Sequence, residues 1–517
     1  MFPKLHATRL LGLLIAIIFT LLILRPTPTT FSVRTGTDGP TSSASGHAHT
    51  SAGHNHATHD LAANPPTNPP VNPPVTVPTA STTKDERAQQ LIDAIDRSQS
   101  RTLKEAVARY QLLHGRNPPR NYDKWFAYAK EKKCMIDNYA ILYENLAPFF
   151  EMSPAEFRRR TSLLSSTGAR RTYPVIVKDG ALQQKDFPYW SQAWVSFITK
   201  HQADIGNLEL VLNELDEPRV VFDHLAARRL GRKMGELQEV KWHSPAPAEH
   251  YSWLLERCAF RQYPDGPIIN GIHGFTVNPD TKVYTEQLVP ILSNTKLRNC
   301  FSDILIPSNY YLFDAFKGEF KDSIPWSEKT PKLFWRGSTT GGTPVDEKYV
   351  NYHRHRMVKL AQNNSHMDMG FIGAIQCGAY CEDVKTKYRF ADRSPFDDNF
   401  KYKYLIDIDG NTFSQRYSPF MQSNSLVFKM TIFQEYFDGW LEPFVHYIPI
   451  NVDLSDLSEK LQWAIDHDEE AEQIALNSKY FSKRFLTLDQ MDCYMYLMFL
   501  ELARLYSGEE LVLPAAH

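Results

Sequence analysis

Three carboxylates stand close together in the first half of this 517-residue chain, at Glu214, Asp216 and Glu217. They follow the apolar run 208–213, which has the composition of a buried strand, and Pro218 ends that run. A carboxylate at the carboxyl end of such a strand lies where α/β sheets place reactive groups, and it can take a proton from a hydroxyl. The residue types alone do not choose among the three, so each is a candidate general base.

Two arginines in the second half have the setting of anion-binding residues. Arg416 comes shortly after the β-branched and aromatic run 402–408, and Arg336 follows the short strand 332–335 and opens a loop of small residues. A guanidinium suits a phosphate group, and the backbone N–H groups of such a loop, with a helix N-terminus behind it, can face an anion. The alternative interpretation is that Arg416 pairs with a nearby aspartate. A single glycine-rich loop is by itself weak evidence for an anion-binding site.

Several short segments, in their order and spacing, resemble glycosyltransferase family 90, the capsule-associated and protein O-glucosyltransferase-like enzymes. The segments are 115–119 with 122–125, Asn213 with Asp216 and Pro218, 301–308, 336–338, 401–405, 414–416, 425–428 and 445–449. The first of them, Gly-Arg-x-Pro-Pro followed by Tyr-Asp-x-Trp, is similar to the fungal members. The resemblance covers roughly residues 105–505.

The resemblance implies roles for eight residues. It implies that Asp216 is the catalytic base. It also implies a donor site made of Arg336, Gly337, Ser338, Phe413, Ser414, Arg416 and Glu435. Residues 336–338 are then the diphosphate loop, and Glu435 is the acidic residue that holds the ribose hydroxyls. Gly341 stands where the animal enzymes usually carry a different residue, so the resemblance assigns no role to the far side of the loop.

The resemblance also implies a fold and an activity. The fold class is α/β, with two Rossmann-like domains facing across a cleft, the GT-B type. The activity is inverting transfer of xylose or glucose, from UDP-xylose or UDP-glucose, to a hydroxyl of a glycan or protein acceptor. The alternative is a catalytically inactive lumenal carbohydrate-binding or scaffold protein of the same fold.

An Asp-x-Asp pair, Asp407 and Asp409, has the form that binds Mn²⁺ in another transferase fold. Here the pair ends a strand, just before Gly410. Two arginines can balance the charge that develops on a leaving diphosphate without a metal. We therefore expect no required cofactor and no metal site, although a dependence on Mn²⁺ stays open. A formal net charge of −2 argues against nucleic acid as a partner.

Composition divides the chain before the sheets begin. Residues 1–9 include the basic Lys4 and Arg9, residues 10–25 are apolar apart from Gly12, Thr20 and the final Arg25, and residues 26–84 are rich in Pro, Ser, Thr and His. These patterns predict a cytosolic tail, an uncleaved signal-anchor transmembrane helix and a disordered stem, with a cleaved signal peptide as the competing interpretation. The further predicted segments are a helical stem or cap region at 85–170, an acceptor-side Rossmann-like domain at 171–325, and a nucleotide-sugar-binding Rossmann-like domain with carboxyl-terminal helices at 326–508.

Six cysteines follow the apolar segment. They are Cys134, Cys258, Cys300, Cys377, Cys381 and Cys493. An even count in an oxidising compartment predicts disulfides, although the pairing cannot be read from the sequence. The Cys377–Cys381 spacing is also found in zinc sites, but no second pair accompanies it. Residues 363–365, Asn-Asn-Ser, form an N-glycosylation sequon that is usable only in the lumen.

We predict a single-pass type II membrane protein of the Golgi or endoplasmic reticulum, with a lumenal body glycosylated at Asn363. The reason is the basic flank, Lys4 and Arg9, ahead of the apolar segment, which stays cytosolic. Protease added to sealed microsomes should spare the body until detergent is added. Asn363→Gln should remove the mass shift caused by endoglycosidase. Digestion of the body without detergent would contradict this topology.

Overall fold

The computed structural model describes residues 82–229, 235–312 and 320–512. The predicted cytosolic tail, the signal-anchor helix and nearly all of the predicted stem lie outside these residues. Across the three described ranges, no helix combines the length and the apolar content that crossing a membrane requires.

The described residues form two sheets surrounded by helices. The strands are β1 Thr172–Lys178, β2 Ala181–Leu182, β3 Leu208–Asn213, β4 Ile291–Ser293, β5 Ile304–Leu305, β6 Thr330–Ser338, β7 Met367–Gly373, β8 Tyr402–Ile408, β9 Leu426–Met430 and β10 Ile448–Pro449. The helices are α1 Lys84–Ser98, α2 Leu103–His114, α3 Tyr122–Glu131, α4 Ala140–Leu146, α5 Pro154–Ser166, α6 Tyr189–Ile205, α7 His224–Arg229, α8 Pro247–Leu255, α9 His353–Ala361, α10 Cys381–Lys387, α11 Tyr417–Met421, α12 Leu457–Asp466, α13 Asp468–Phe485 and α14 Leu488–Ser507.

The first sheet is mixed, with the strand order β2-β1-β3-β4-β5. Strands β3, β4 and β5 are parallel, whereas β1 runs antiparallel to both of its neighbours. The turn from β1 to β2 consists of Asp179 and Gly180, which both have positive φ, as tight two-residue hairpins require. This sheet therefore departs from the fully parallel arrangement that the term Rossmann-like implies, while its parallel part ends next to Asp216.

The second sheet is parallel throughout, with the order β10-β9-β8-β6-β7. The five residues of β9 and the last five of β8 are buried, as expected for strands covered by helices on both faces. The strand predicted at 402–408 coincides with β8. The two parallel-rich sheets fit the predicted α/β class.

The last helix, α14, packs against the first half of the chain, where it contacts α3, α5, α6 and β3. The Tyr494 hydroxyl donates to the Leu305 carbonyl of β5 at 2.9 Å, and Cys493 forms a disulfide with Cys134. The final helix therefore lies with the first sheet, although its residues fall within the segment predicted as the second domain. The predicted domain boundaries themselves stay a prediction.

All six cysteines are paired, as their even number predicts. Besides Cys134–Cys493, the pairs are Cys258–Cys300 and Cys377–Cys381. The Cys377–Cys381 disulfide contains the two cysteines whose spacing is also found in zinc sites. A thiol that is oxidised to a disulfide cannot serve as a thiolate ligand.

The small-residue loop after β6 packs directly on the backbone of the first half. A Cβ added to Gly274 would lie 1.7 Å from the Gly341 carbonyl oxygen, and one added to Gly342 would lie 2.5 Å from the Gly274 backbone. The Thr343 N–H donates to the Asn278 carbonyl at 2.9 Å, and the Asn278 side chain donates back to the Thr343 carbonyl. Glycine is required here because the two backbones leave no room for a side chain.

Candidate active site

A cavity of about 470 Å³ is lined by Asp216 and Tyr310 from the first half and by the loops that follow β6 and β8. Seven of the eight predicted site residues line it, namely Asp216, Arg336, Gly337, Ser338, Phe413, Ser414 and Arg416. The six from the second half come together because the parallel strands β6 and β8 end at one edge of their sheet, and Asp216 follows β3 of the first sheet. The eighth residue, Glu435, is not part of this lining.

Asp216 is half-buried at the cavity wall. The Tyr310 hydroxyl donates to Asp216 Oδ1 at 3.0 Å. Burial raises the pKa of Asp216, the charge of Asp280 acts in the same direction, and the hydrogen bond from Tyr310 opposes both. The second carboxylate oxygen has no recorded protein donor among the described residues, so Asp216 has the capacity to accept a proton.

The two rival carboxylates are held elsewhere. Glu214 is fully buried, where it accepts a hydrogen bond from the Ser191 hydroxyl at 2.5 Å and lies 3.3 Å from Arg171 Nη2. Glu217 accepts the Thr281 N–H at 3.1 Å. Burial, followed by the charge of Asp216, raises the pKa of Glu217 to about 8. Neither residue lines the cavity, so the geometry singles out Asp216 among the three.

Arg336 already has a carboxylate partner. Its Nη2 lies 2.7 Å from Asp368 Oδ1, and its Nη1 donates to the Asp368 carbonyl, also at 2.7 Å. Asp368 is in turn held by Arg389 Nη1 at 2.9 Å and by the Tyr402 hydroxyl at 3.0 Å. Arg336 is therefore fixed in position by a small polar network at the edge of the cavity.

Arg416 is held by neutral acceptors. Its Nη1 donates to the Arg336 carbonyl at 2.6 Å, and its Nε donates to the Ser414 hydroxyl at 3.3 Å. Within the described ranges, no carboxylate lies within 4 Å of its guanidinium. Burial lowers the pKa of Arg416, and the more distant charge of Asp407 opposes this effect. The structure therefore lacks the aspartate pairing that was the alternative interpretation of Arg416.

A third arginine, Arg354 in the first turn of α9, also lines the cavity. Its Nε donates to the Asp409 carbonyl at 2.6 Å, and its Nη1 donates to the Thr340 hydroxyl at 2.7 Å. Burial and the charge of Arg416 lower the pKa of Arg354 to about 9. Sequence reasoning missed this residue because the apolar spacing of its helix indicated packing. The signal that could have found it is a basic residue in the first turn after a glycine-rich loop.

The indole of Trp335 lies next to two of these cations. The guanidinium carbons of Arg354 and Arg416 each lie 5.4 Å from its ring centroid. A Cβ added to Gly337 would lie 2.4 Å from the same ring, so glycine makes room for the indole. Cation–π contact stabilises each guanidinium, but two like charges on one ring also repel each other. The cavity is thus prepared for an anion.

The loop after β6 differs in one respect from its prediction. Strand β6 continues through Ser338, and a 3₁₀ turn, Glu347–Asn351, separates the loop from α9. The helix N-terminus therefore does not follow the loop directly. The first residue of α9, His353, instead packs against the loop, because a Cβ added to Gly341 would lie 2.6 Å from the His353 ring. The loop is also held by Asn411, whose Oδ1 accepts the Gly341 N–H at 3.3 Å.

Glu435 lies behind the cavity wall, in an irregular segment after β9 rather than on the expected helix. It is buried, and its Oε2 accepts a hydrogen bond from the Tyr311 hydroxyl at 2.6 Å. Its N–H donates to Asp438 Oδ2 at 2.8 Å. Burial raises the pKa of Glu435 well above its usual range. A contact between Glu435 and a ribose stays a prediction that this geometry does not support.

Neither aspartate of the Asp-x-Asp pair lines the cavity. Asp409 Oδ2 accepts the Ile432 N–H at 2.8 Å and lies 3.2 Å from His273 Nε2. Asp407 is buried, and burial raises its pKa to about 6 although Arg416 opposes this shift. In the part of the chain that the structure describes, no group of three His, Cys, Asp or Glu side chains is arranged to hold a metal ion. The dependence on Mn²⁺ stays open.

We predict that Tyr310→Phe raises the pKa of Asp216 further, because the hydrogen bond from the Tyr310 hydroxyl stabilises the carboxylate and opposes the effect of burial. The carboxylate form would then be present only at higher pH. Carbon-13 NMR of the Asp216 carboxyl group measures this. Tyr311→Phe is the matched control, since its hydroxyl contacts Glu435. An unchanged pKa in Tyr310→Phe would contradict the assigned hydrogen bond.

Comparison with known proteins finds a family match for the second half of the chain, which contributes most of the cavity lining. The model of glycosyl transferase family 90 matches residues 314–512. Protein O-glucosyltransferase 2 of Danio rerio is 37% identical over 182 residues, which are 35% of this chain and 34% of that protein. Protein O-glucosyltransferase 3 of Homo sapiens is 30% identical over 207 residues, 38% of each chain. Protein O-glucosyltransferase 1 of Rattus norvegicus is 26% identical over 279 residues, 50% of this chain and 66% of that protein.

The match therefore spans about a third of the length of the first two relatives and about two thirds of the third. The matched residues 314–512 contain all seven predicted donor-site residues, and Asp216 lies before them. The predicted resemblance is confirmed, because residues 314–512 match the model of glycosyl transferase family 90 and the relatives are protein O-glucosyltransferases.

Proposed function

We propose that this protein is an inverting glycosyltransferase. It transfers xylose or glucose from a UDP-sugar to a hydroxyl of a glycan or glycoprotein, with the two sheets arranged as a GT-B enzyme. The observation that carries the proposal is one cavity with a proton acceptor, Asp216, on one side and three arginines on the other. The family match and the protein O-glucosyltransferase relatives support glycosyl transfer and favour glucose as the sugar.

The three arginines suit the diphosphate of a nucleotide sugar. Arg336, Arg354 and Arg416 line the cavity, and only Arg336 among them has a carboxylate within 4 Å in the described residues, namely Asp368. The cluster is therefore net positive, and a diphosphate relieves the repulsion among its members. Guanidinium groups bind phosphate oxygens with paired, charge-assisted hydrogen bonds. The hydroxyl of Ser338 lies in the same lining.

The chemical step follows from the placement of Asp216 on one side of the cavity and the arginines on the other. Asp216 accepts the proton of the acceptor hydroxyl while that oxygen attacks the anomeric carbon. The bond from the anomeric carbon to the UDP oxygen breaks, and its electron pair stays on the diphosphate. The arginines balance the charge that develops there. Because the base must be deprotonated, turnover is expected above the raised pKa of Asp216 and is lost as the pH falls through it.

The proposed location is the lumen of the Golgi or endoplasmic reticulum, with the chain anchored as a type II protein. Asn363 supports this proposal, because it lies exposed in the turn after α9 and its sequon is accessible. The three disulfides are also typical of an oxidising compartment.

UDP release from a panel of UDP-sugars tests the activity. We expect release with UDP-glucose or UDP-xylose, and we expect Asp216→Asn to reduce turnover by about 10²–10⁴-fold because a positioned base is lost. UDP affinity should not change in that variant. Glu217→Gln is the matched control, since Glu217 is adjacent but does not line the cavity. Absence of release with every donor would favour the inactive carbohydrate-binding or scaffold alternative, and normal turnover in Asp216→Asn would reassign the base.

The arginines make a separate prediction about affinity. Arg354→Ala and Arg416→Ala should each weaken UDP binding by about tenfold to a hundredfold, because each removes a charge-assisted hydrogen bond worth about 1.5–3 kcal/mol. Arg389→Ala is the control, since Arg389 pairs with Asp368 but does not line the cavity. Calorimetry with EDTA and then with Mn²⁺ measures the affinity. If EDTA abolishes binding and Mn²⁺ restores it, a donor site that relies on arginines alone is wrong.

A further inference from the structure

Another cavity, of about 320 Å³, lies beyond the carboxyl ends of β9 and β10, and its lining shares no residue with the cavity of Asp216. The first half contributes residues 263–265 and Arg298, and the second half contributes residues between Lys429 and Pro449. Parallel sheets bind ligands beyond the carboxyl ends of their strands. The cavity thus has the position of a binding site, and the proposed transfer reaction does not use it.

The charges in this cavity balance. Lys429 is buried to more than nine tenths, and its Nζ lies 3.0 Å from Asp438 Oδ1. Arg298 and Asp265 are exposed, and within the described ranges neither side chain has an ion-pair partner within 4 Å or a recorded hydrogen bond. The two cations, Lys429 and Arg298, and the two carboxylates, Asp438 and Asp265, together carry no net charge. A phosphate or another anion is therefore not the favoured ligand, in contrast to the cavity of the three arginines.

Donors and acceptors in this cavity lack partners among the described residues, which points to a ligand that both donates and accepts hydrogen bonds. Arg298 offers N–H donors, and Asp265 offers two acceptor oxygens. The Lys429 ammonium has three N–H groups, of which one reaches Asp438, and its Nζ also lies 4.0 Å from the ring centroid of Tyr417. Sugar hydroxyls both donate and accept, so adjacent hydroxyls of one ring can satisfy the carboxylate and the cations together.

Aromatic rings form another part of the wall. Tyr263, Phe433 and Tyr447 line the cavity. Phe444, which lies between the lining residues Pro443 and Tyr447, has a φ of 61° and a side chain that is 52% exposed. Its N–H donates to the Tyr447 carbonyl at 2.8 Å. A bulky residue in the left-handed region is a costly conformation that the surrounding structure must impose, and here it presents a ring to solvent.

We propose that this cavity binds a neutral pyranose unit of an oligosaccharide, at a site separate from the donor cavity. The rings of Tyr263 and Tyr447 pack on the apolar face of the sugar, while Asp265, Arg298 and Lys429 bind its hydroxyls. This inference concerns binding alone. It holds whether or not the chain transfers a sugar.

The test uses maltotriose, cellotriose, xylotriose and mannotriose as probes, each titrated by calorimetry and by saturation-transfer NMR. The protein is the Asp216→Asn form, so that turnover is prevented, and each titration is run first without UDP and then in excess UDP, which fills the donor cavity. We expect at least one trisaccharide to bind. Arg298→Ala and Asp265→Asn should each raise its Kd about tenfold or more, because each removes a hydrogen bond to a charged group. Arg261→Ala is the matched control, an exposed arginine outside the lining.

Three results would overturn the proposal. They are the failure of all four probes to bind, an unchanged Kd in both cavity variants, and displacement of the bound trisaccharide by UDP, which would place the sugar beside Asp216. UDP affinity is measured by calorimetry on the same variants before any UDP or trisaccharide is added. A failure of the proposed donor site is therefore seen separately from a failure of this carbohydrate site.

Discussion

The arrangement of the active site depends on one buried aspartate at the end of β8. Asp409 accepts the Ile432 N–H through Oδ2, and its carbonyl accepts hydrogen bonds from Arg354 Nε and His353 Nε2. His273, from the first half, uses Nδ1 to accept the Phe275 N–H, so its Nε2 carries the proton that faces Asp409. A single residue thus joins both halves of the chain through its side chain and its carbonyl.

This network explains how like charges can share one cavity. Arg354 is held by the Asp409 carbonyl and Arg416 by the Arg336 carbonyl, so neutral oxygens fix two guanidiniums without cancelling their charge. Of the three arginines in the cavity lining, only Arg336 is paired with Asp368, which also pairs with Arg389. Groups fixed in advance need no reorganisation when charge develops on a leaving diphosphate, which is the usual source of electrostatic catalysis. Their desolvation and mutual repulsion are compensated by the many hydrogen bonds around them.

Local pattern was sufficient for much of the second half. The β-branched run 402–408 is a strand, the small residues after Ser338 form a loop, and Arg416 lies beyond a strand end. Each of these features depends on side-chain periodicity or on turn-forming residues within a few positions, and such information is contained in the sequence. The clustering of seven of the eight predicted site residues followed from the edge rule for parallel sheets and from the family motifs.

Other features depended on contacts between residues far apart in the chain. The choice of Asp216 over Glu214 rests on Ser191 and Arg171, which hold Glu214 inside the first half. The helical spacing around Arg354 indicated packing, yet its side chain reaches the donor cavity. Likewise, no local periodicity of side chains predicts that β1 runs antiparallel to its neighbours or that α14 packs on the first sheet. The sequence by itself determined strands, loops and candidate residues, whereas the tertiary structure decided which charges are paired and which face the cavity, because pairing is set by long-range packing.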